Sequence, residues 1–540
     1  MKRKFNHPAE RNHFLVPGMP TPNGRIHLGH IAGPYLKMDV LKRKVQRSNG
    51  FAYLCSGSDV YESYVELKAS QLGISTIEVA NFFHNLISKD FKALNIDFDL
   101  YINPLDKDLQ KEFISFHQNL LQDLINSGSV VEREELVPYD SVTETYLTGC
   151  WIKGICPNCK SPTGSYLCEY CGTHYRPQDI FSQEIFPNAS LVKKRLLYLK
   201  LDGNKLLENT KKIQNGLLSQ ILERYIELQG PYIRLTTVQK TGIPFNWDNT
   251  PRQIIFNYPG VLFYSVYCGH LLQNKYGISH NPMSAGANFV TCTSFGIDNV
   301  IPVLAGVYWG GNVLSEYRAF NYYFCNYFYH LNDEKFSTSR MHTIWSGDII
   351  ELSQFQPDAV RYFLCKVNPE FGPKNLDAVE FLETINNDLH RRLNKVIAIS
   401  FEGLRPGEHY EVDDFIFTRM EDIILKQNQM MQPGHFRFSA FLEPIDEWII
   451  NHETLIADQR VNYFYWWLKA LAYLCYPIMP GFSTALWKNL SGEVRISSND
   501  FFSDDTLISK DLTEVFFKEV NYADLSKSLP SKRNVHEKSD

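Results

Sequence analysis

No run of about 18 consecutive apolar residues occurs in this 540-residue chain, so the pattern offers no helix that would span a bilayer. No secretory signal is recognisable either, and the expectation is a cytoplasmic protein with reduced thiols, not a disulfide scaffold. A basic excess is also missing. The net charge of −6 argues against an overall nucleic-acid footprint. No internal repeat is visible. The acidity is uneven: Leu376 to Asp540 holds 17 Lys+Arg against 26 Asp+Glu, so it concentrates in the C-terminal part. What is present is apolar content of 44% over a length that accommodates three or four domains with substantial cores.

The first informative pattern lies at residues 20–30, Pro-Thr-Pro-Asn-Gly-Arg-Ile-His-Leu-Gly-His. Phe14-Leu15-Val16 reads as a buried strand, Pro20 to Gly24 as a turn and Ile26 to Lys44 as a helix. His27 and His30 then stand three apart on the first turn, where free N–H groups and the helix dipole favour a phosphate. Gly29 between them leaves room for an adenine or ribose against the backbone. The plain alternative is a capped helix with two surface histidines.

A second pattern, Lys335-Phe336-Ser337-Thr338-Ser339-Arg340, follows the polar turn Asn332-Asp333-Glu334 and reads as an exposed mobile loop. Ammonium and hydroxyl groups brought onto a triphosphate act where charge shifts to a leaving pyrophosphate. Cys156-x-x-Cys159 and Cys168-x-x-Cys171 form a third pattern, four thiolates in two knuckles that suit a structural zinc with no open coordination position. The competing account is two disulfides. His174 is a possible substitute ligand; the other seven cysteines read as reduced core residues.

The chain's punctuation divides it into 1–122, the first half of a nucleotide-binding α/β sheet; 123–245, an inserted module around the cysteines; and 246–376, the second half with the lysine loop. A helical bundle follows over 377–525, and 526–540 reads as a disordered tail. The second half is expected to gain strands from Val261–Tyr267 and from Phe289–Cys292.

With these motifs in order, the chain resembles the class I aminoacyl-tRNA synthetases, whose HIGH and KMSKS boxes correspond to His27-Leu28-Gly29-His30 and Lys335-Phe336-Ser337-Thr338-Ser339. Within that class it resembles the methionyl-tRNA synthetase family, through Ser56-Gly57-Ser58-Asp59, the four-cysteine knuckle and Phe295-Gly296-Ile297-Asp298-Asn299. The resemblance implies an α/β fold, a class I Rossmann-type domain with an inserted zinc-knuckle module and an α-helical bundle. It also implies an ATP- and Mg2+-dependent ligase that makes an aminoacyl adenylate and passes it to an acceptor. His27, His30, Lys335, Ser337, Thr338 and Ser339 would act on the phosphates. Gly29, Gly296 and Asp298 would hold ATP, with Asp298 accepting the ribose hydroxyls and Gly296 clearing room for the sugar. Asp59 would receive the substrate's α-ammonium.

Departures from the family pattern concentrate on the amino acid. Thr21 stands in the first turn where the resemblance leads one to expect a tyrosine. Ser265 stands for a tryptophan in a pocket-wall strand, and Asp59-Val60-Tyr61-Glu62 replaces Asp-Glu-His-Gly. A thioether is recognised by apolar and aromatic walls, so losing two of them points to another side chain. Thr338 replaces the middle lysine of the loop, with Lys335, Arg340 or Arg318 as possible compensation. Arg234 lies beside Leu235 near a substrate-side arginine position. The bundle has Arg391-Arg392 and Asn394-Lys395 but lacks a Pro-Trp, for which Tyr463–Trp467 is a candidate substitute unless it is bundle core. The expectation is a monomeric, specialised paralogue with an altered amino acid or acceptor, tRNA or a non-tRNA amine. The alternatives are an ordinary methionine–tRNA ligase and a catalytically silent nucleotide-binding zinc protein.

Overall fold

Five parallel strands build the central sheet in the order β3-β2-β1-β4-β5, where β1 is His13–Pro17, β2 Ala52–Gly57, β3 Leu100–Ile102, β4 Val290–Gly296 and β5 Tyr322–Asn326. This is a computed structural model, and it describes residues 4–5, 10–202, 204, 216–247, 250–303, 313–336, 342–455, 461–503, 505–511 and 515–530. Every residue of β1 is buried because both faces of the sheet are covered. Phe14 and Val16 face a core shared with the inserted module, whereas Leu15 faces a second core continuous with the C-terminal helices. That alternation follows from the two-residue side-chain period of a strand.

After β1 the chain makes a short helix, α1 (Leu28–His30), passes through a π-helical turn at Ile31–Tyr35 and continues as α2 (Leu36–Arg47). The interruption falls at Gly33, whose φ/ψ is not helical, and at Pro34, which has no N–H for the helical ladder. Helices α3 (Ser63–Leu72) and α4 (Thr76–Ala93) follow β2; α4 opens with a Ser75/Glu78 capping box. Helix α5 (Gln110–Asn126) leads into the insertion. Its main ladder pairs Val130–Asp140 antiparallel with Ala189–Lys200, and the hairpin Lys153–Ile155/Pro162–Gly164 carries the first cysteine pair.

One sequence expectation is overturned. Val261–Tyr267 is not a strand but part of helix α6 (Asn257–Tyr276), which ends at Gly277 in the left-handed region, φ 64°. Most of α6 is buried, including Tyr258, Leu262, Phe263, Tyr264, Ser265 and Val266. A helix buried on most sides has no polar face to reveal its 3.6-residue period, so an aromatic and β-branched run within it imitates a buried strand.

The C-terminal helices are α7 (Pro357–Lys366), a segment from Ala378 through a π-helical stretch at Ile385–Leu393 into α8 (Asn394–Glu402), then α9 (Asp414–Met430), α10 (Glu443–Leu455), α11 (Val461–Cys475) and α12 (Pro480–Ser491). Two fully buried arginines join them to the sheet domain. Arg47 of α2 donates to Tyr473 O at 2.6 Å, and Arg361 of α7 donates to Ile478 O at 2.7 Å and to Asp39 Oδ2 at 2.7 Å. These cations meet carbonyls at and just beyond the end of α11, where the helix dipole is negative. Tyr463, Tyr465, Trp466 and Trp467 are buried in the bundle, with Trp448 and Trp467 exchanging indole-to-carbonyl bonds at 3.2 Å, so this run is core and offers no face to a base. The expected tail also starts too early. Ser528 is buried, bonded to Ser353 Oγ at 2.9 Å, and residues 526–530 belong to the packed body. Residues 531–540 lie outside the described residues.

Candidate active site

The sheet reverses its strand order between β1 and β4, and in open α/β sheets ligands bind outside the carboxyl ends of the strands at such a point. His27 and His30 follow β1, and Asp298 follows β4 in the turn Ile297–Asn299. The two signature histidines form a reciprocal capping box: His30 N–H donates to His27 Nδ1 and His27 N–H to His30 Nδ1, both at 3.3 Å. Their rings stack with centroids 3.7 Å apart and planes at 16°. Each imidazole therefore stands at a helix N-terminus, as the sequence reading expects.

The first residues of the lysine stretch lie at the same place. Lys335 pairs with His330 in a short hairpin, and the Phe336 ring lies 5.0 Å from the His27 ring. Beyond the loop, Leu28 N–H donates to Ile344 O at 3.0 Å and Ser346 N–H to Ile26 O at 3.1 Å. Arg25 bridges Asp90 and Asp348, so the histidine turn is tied to the segment after the loop. Burial works against the Arg25 charge, but the two carboxylates outweigh it and hold the guanidinium ionised. Ser337, Thr338, Ser339 and Arg340 lie outside the described residues. Arg318 is not a substitute for the missing loop lysine, because it donates to Pro282 O at 2.9 Å and Phe289 O at 2.7 Å.

Both glycines serve the protein's own packing. A Cβ on Gly29 would meet the His27 ring at 3.1 Å and Tyr329 Cβ at 3.3 Å. At Gly296 it would meet Asp298 Oδ1 at 2.4 Å, so this glycine makes room for the Asp298 carboxylate, the group expected to hold the ribose.

On the other side of β1, Asp59 N–H donates to Pro20 O at 3.0 Å, which fixes Asp59 beside the turn carrying Thr21. Burial, reinforced by the nearby Glu62 charge, pushes the Asp59 carboxyl up to about 7. Glu62 is raised as well, by burial; its donors are Ser63 Oγ at 3.0 Å and Asn257 Nδ2 at 2.9 Å, both neutral. Among the described residues no Lys or Arg forms an ion pair with either acid. Glu62 and Asn257 escape the sequence reading; the acidic pair three residues apart is the one local signal. Ser265 does not face a pocket from a strand, since its Oγ donates to Val261 O at 2.7 Å within α6. Arg234 is likewise not a substrate-side group: it is buried and ion-paired with Glu135 inside the insertion.

The four cysteine sulfurs lie within 4.8 Å of one another, with Cys156–Cys171 at 3.8 Å and Cys159–Cys168 at 3.5 Å. Disulfide bonds of about 2.05 Å are excluded, whereas a tetrahedral ion with Zn–S bonds of about 2.3 Å places its sulfurs at such separations. Burial opposes ionisation of Cys171, but donors from Thr173 and Asn158 bring it down to about 6. His174 is not in the cluster.

The family profile described as tRNA synthetases class I (M) matches residues 13–227 and 297–399, more than half of the chain. The chain belongs to the class I tRNA synthetases of the methionyl type. It is thus a synthetase-type ligase by family. Among relatives, it is 22% identical to the methionine–tRNA ligase of Methanococcus aeolicus over 90% of this chain and 76% of that protein. It is 23% identical to that of Bacteroides fragilis over 78% of this chain and 64% of that one. The fold matches Mycobacterium tuberculosis methionyl-tRNA synthetase in complex with methionyl-adenylate, with a TM-score of 0.68 and 15% identity over 94% of this chain and 100% of that one. No helix among the described residues of this synthetase is long and apolar enough to cross a membrane.

Proposed function

We propose that this synthetase uses ATP to activate an amino acid other than methionine, one whose side chain carries a hydrogen-bond donor or a positive charge. The carrying observation is the Asp59/Glu62 pair. A thioether needs apolar walls, and one carboxylate suffices for the α-ammonium. Glu62, held on Asn257 and Ser63, is a second acceptor beside that position. A cation opposite it would offset the cost of burying both acids.

In the reaction, a carboxylate oxygen of the amino acid attacks the α-phosphorus of ATP, an oxygen–phosphorus bond forms and pyrophosphate leaves with the electrons of the bond broken. His27 and His30, stacked at the helix N-terminus, stabilise the developing charge there. Lys335, Ser337, Thr338 and Ser339 hold the departing pyrophosphate, Asp298 accepts the ribose hydroxyls and Asp59 takes the α-ammonium beside Thr21. Mg2+ bound with ATP would neutralise phosphate charge. Zinc at the four cysteines would be structural.

A second reading, an ordinary methionine–tRNA ligase, is favoured by the relatives' activity and by a cleft of about 550 Å³ on the first bundle helix, lined by Asn387, Arg391, Arg392 and Lys395. Arg392 there is already paired with Glu453, and Asn394 is spent on the backbone of Phe517, leaving fewer free donors for an anticodon. The experiment is amino-acid-dependent ATP–pyrophosphate exchange across the standard amino acids, followed by transfer to total tRNA. Exchange with a basic or donor-bearing amino acid is the expected result. Methionine as the sole substrate, with transfer to tRNA, would return the ordinary ligase.

A further inference from the structure

The second cysteine knuckle does more than close on its own sulfurs. Three residues past Cys171, His174 is only 1% exposed and turns away from the cluster. Its Nδ1 makes a short hydrogen bond with the Tyr258 hydroxyl, and the Asp298 backbone lies within hydrogen-bonding reach of the imidazole. The ring also meets Tyr258 and Tyr225 edge to face, with centroids at 5.4 and 6.3 Å. Gly172, at φ +68°, brings the knuckle in so closely that a Cβ there would stand 2.8 Å from Ile221 and 3.4 Å from Ile297 O. From behind, Arg224 donates to Thr173 Oγ1 at 3.1 Å.

Both ends of this contact matter to the site. Tyr258 lies in the first turn of α6, next to Asn257, the residue that holds Glu62. Ile297–Asn299 is the turn that carries Asp298, whose carboxylate already folds over Gly296. What sets the depth of that turn is what packs behind it. We infer that His174 is a positioning residue for nucleotide binding: wedged between Tyr258 and the Asp298 turn, it sets the distance between the ribose side and the amino-acid side of the site. Burial keeps the imidazole neutral, lowering its pKa to about 3, so the wedge needs no counter-ion and does not change charge over the working pH range.

This inference rests on the assignment of Asp298 to the ATP ribose, and the test separates the two. The dissociation constant of Mg·ATP is measured on the full chain without amino acid, for wild type, His174→Ala, His174→Gln and Tyr258→Phe, together with zinc content per chain. Loss of one hydrogen bond to a charged group costs roughly ten- to a hundredfold in affinity. His174→Ala is expected to weaken ATP binding about ten-fold with zinc content unchanged, His174→Gln to recover most of the loss, and Tyr258→Phe to give a smaller loss of the same kind. ATP affinity of His174→Ala within twofold of wild type overturns the wedge. If His174→Ala does not fold, unchanged ATP affinity in Tyr258→Phe overturns it instead. Wild-type protein that binds no ATP would sink the ribose assignment, whatever the variants do.

Discussion

The two sides of the proposed site are built differently. The nucleotide side is made of contiguous pieces: the histidines cap each other across three residues, and the Gly296–Asp298 turn folds on itself. The amino-acid side is assembled across the chain, from Asp59 beside Pro20 and from Glu62 between Ser63 and Asn257. Short-range geometry constrains the first strongly. The second changes with one substitution on any of three elements, which is where a change of substrate would be accommodated.

The sharpest way to break this contrast is on the nucleotide side. His30→Ala removes a transition-state donor and half of the capping box. It is expected to lower adenylate formation by about 10² to 10³, measured by pyrophosphate exchange. Unchanged exchange would mean that the histidine pair does not touch the reaction.

Next in size is metal removal. A four-thiolate site contributes folding energy directly, so stripping zinc with a chelator should lower the melting temperature by several degrees and weaken ATP binding through the Asp298 turn. An identical melting curve would show that the four sulfurs hold no structural ion.

On the amino-acid side, Glu62→Gln keeps the shape and removes the charge. Activity toward a cationic amino acid should fall about ten- to a hundredfold, the value of one charged hydrogen bond. The pH profile sharpens this. Binding of the α-ammonium needs the Asp59 carboxylate, so amino-acid affinity should rise as pH increases through about 7, and the midpoint should move lower in Glu62→Gln because a like charge is gone. Stability runs the other way. Asp59 binds its proton more tightly folded than unfolded between 3.8 and about 7, so its contribution to stability declines as pH rises through that window. An amino-acid affinity flat from pH 5 to 9 (about two units either side of the midpoint) would contradict the assignment. The smallest effect belongs to Ser265→Ala, which loses one intrahelical bond worth about 1 kcal/mol and should leave exchange within twofold. A large loss would put Ser265 back in the pocket.

The same contrast explains what was legible. The strand, turn and capped helix around His27 follow from local pattern, as do the four-cysteine knuckle and the Gly-x-Asp turn. Helix α6 is not legible in the sequence, because burial on most sides erases its period, and reading it as a strand assigns Ser265 to the wrong kind of element. The pattern at Tyr463–Trp467 fits bundle core and a stacking surface alike, and packing against Trp448 and Tyr410 decides for core. Three residues past the knuckle, His174 is in sequence a possible substitute metal ligand. Its partner is Tyr258, 84 residues away, and no local pattern announces such a contact.

The most direct test of a preserved nucleotide side with an altered amino-acid side is the amino-acid panel of pyrophosphate exchange run side by side on wild type and Glu62→Gln. The account predicts that wild type prefers a basic or donor-bearing amino acid over methionine and that Glu62→Gln selectively loses that preference. Methionine as the best substrate of both proteins, at equal kcat/KM, would contradict it.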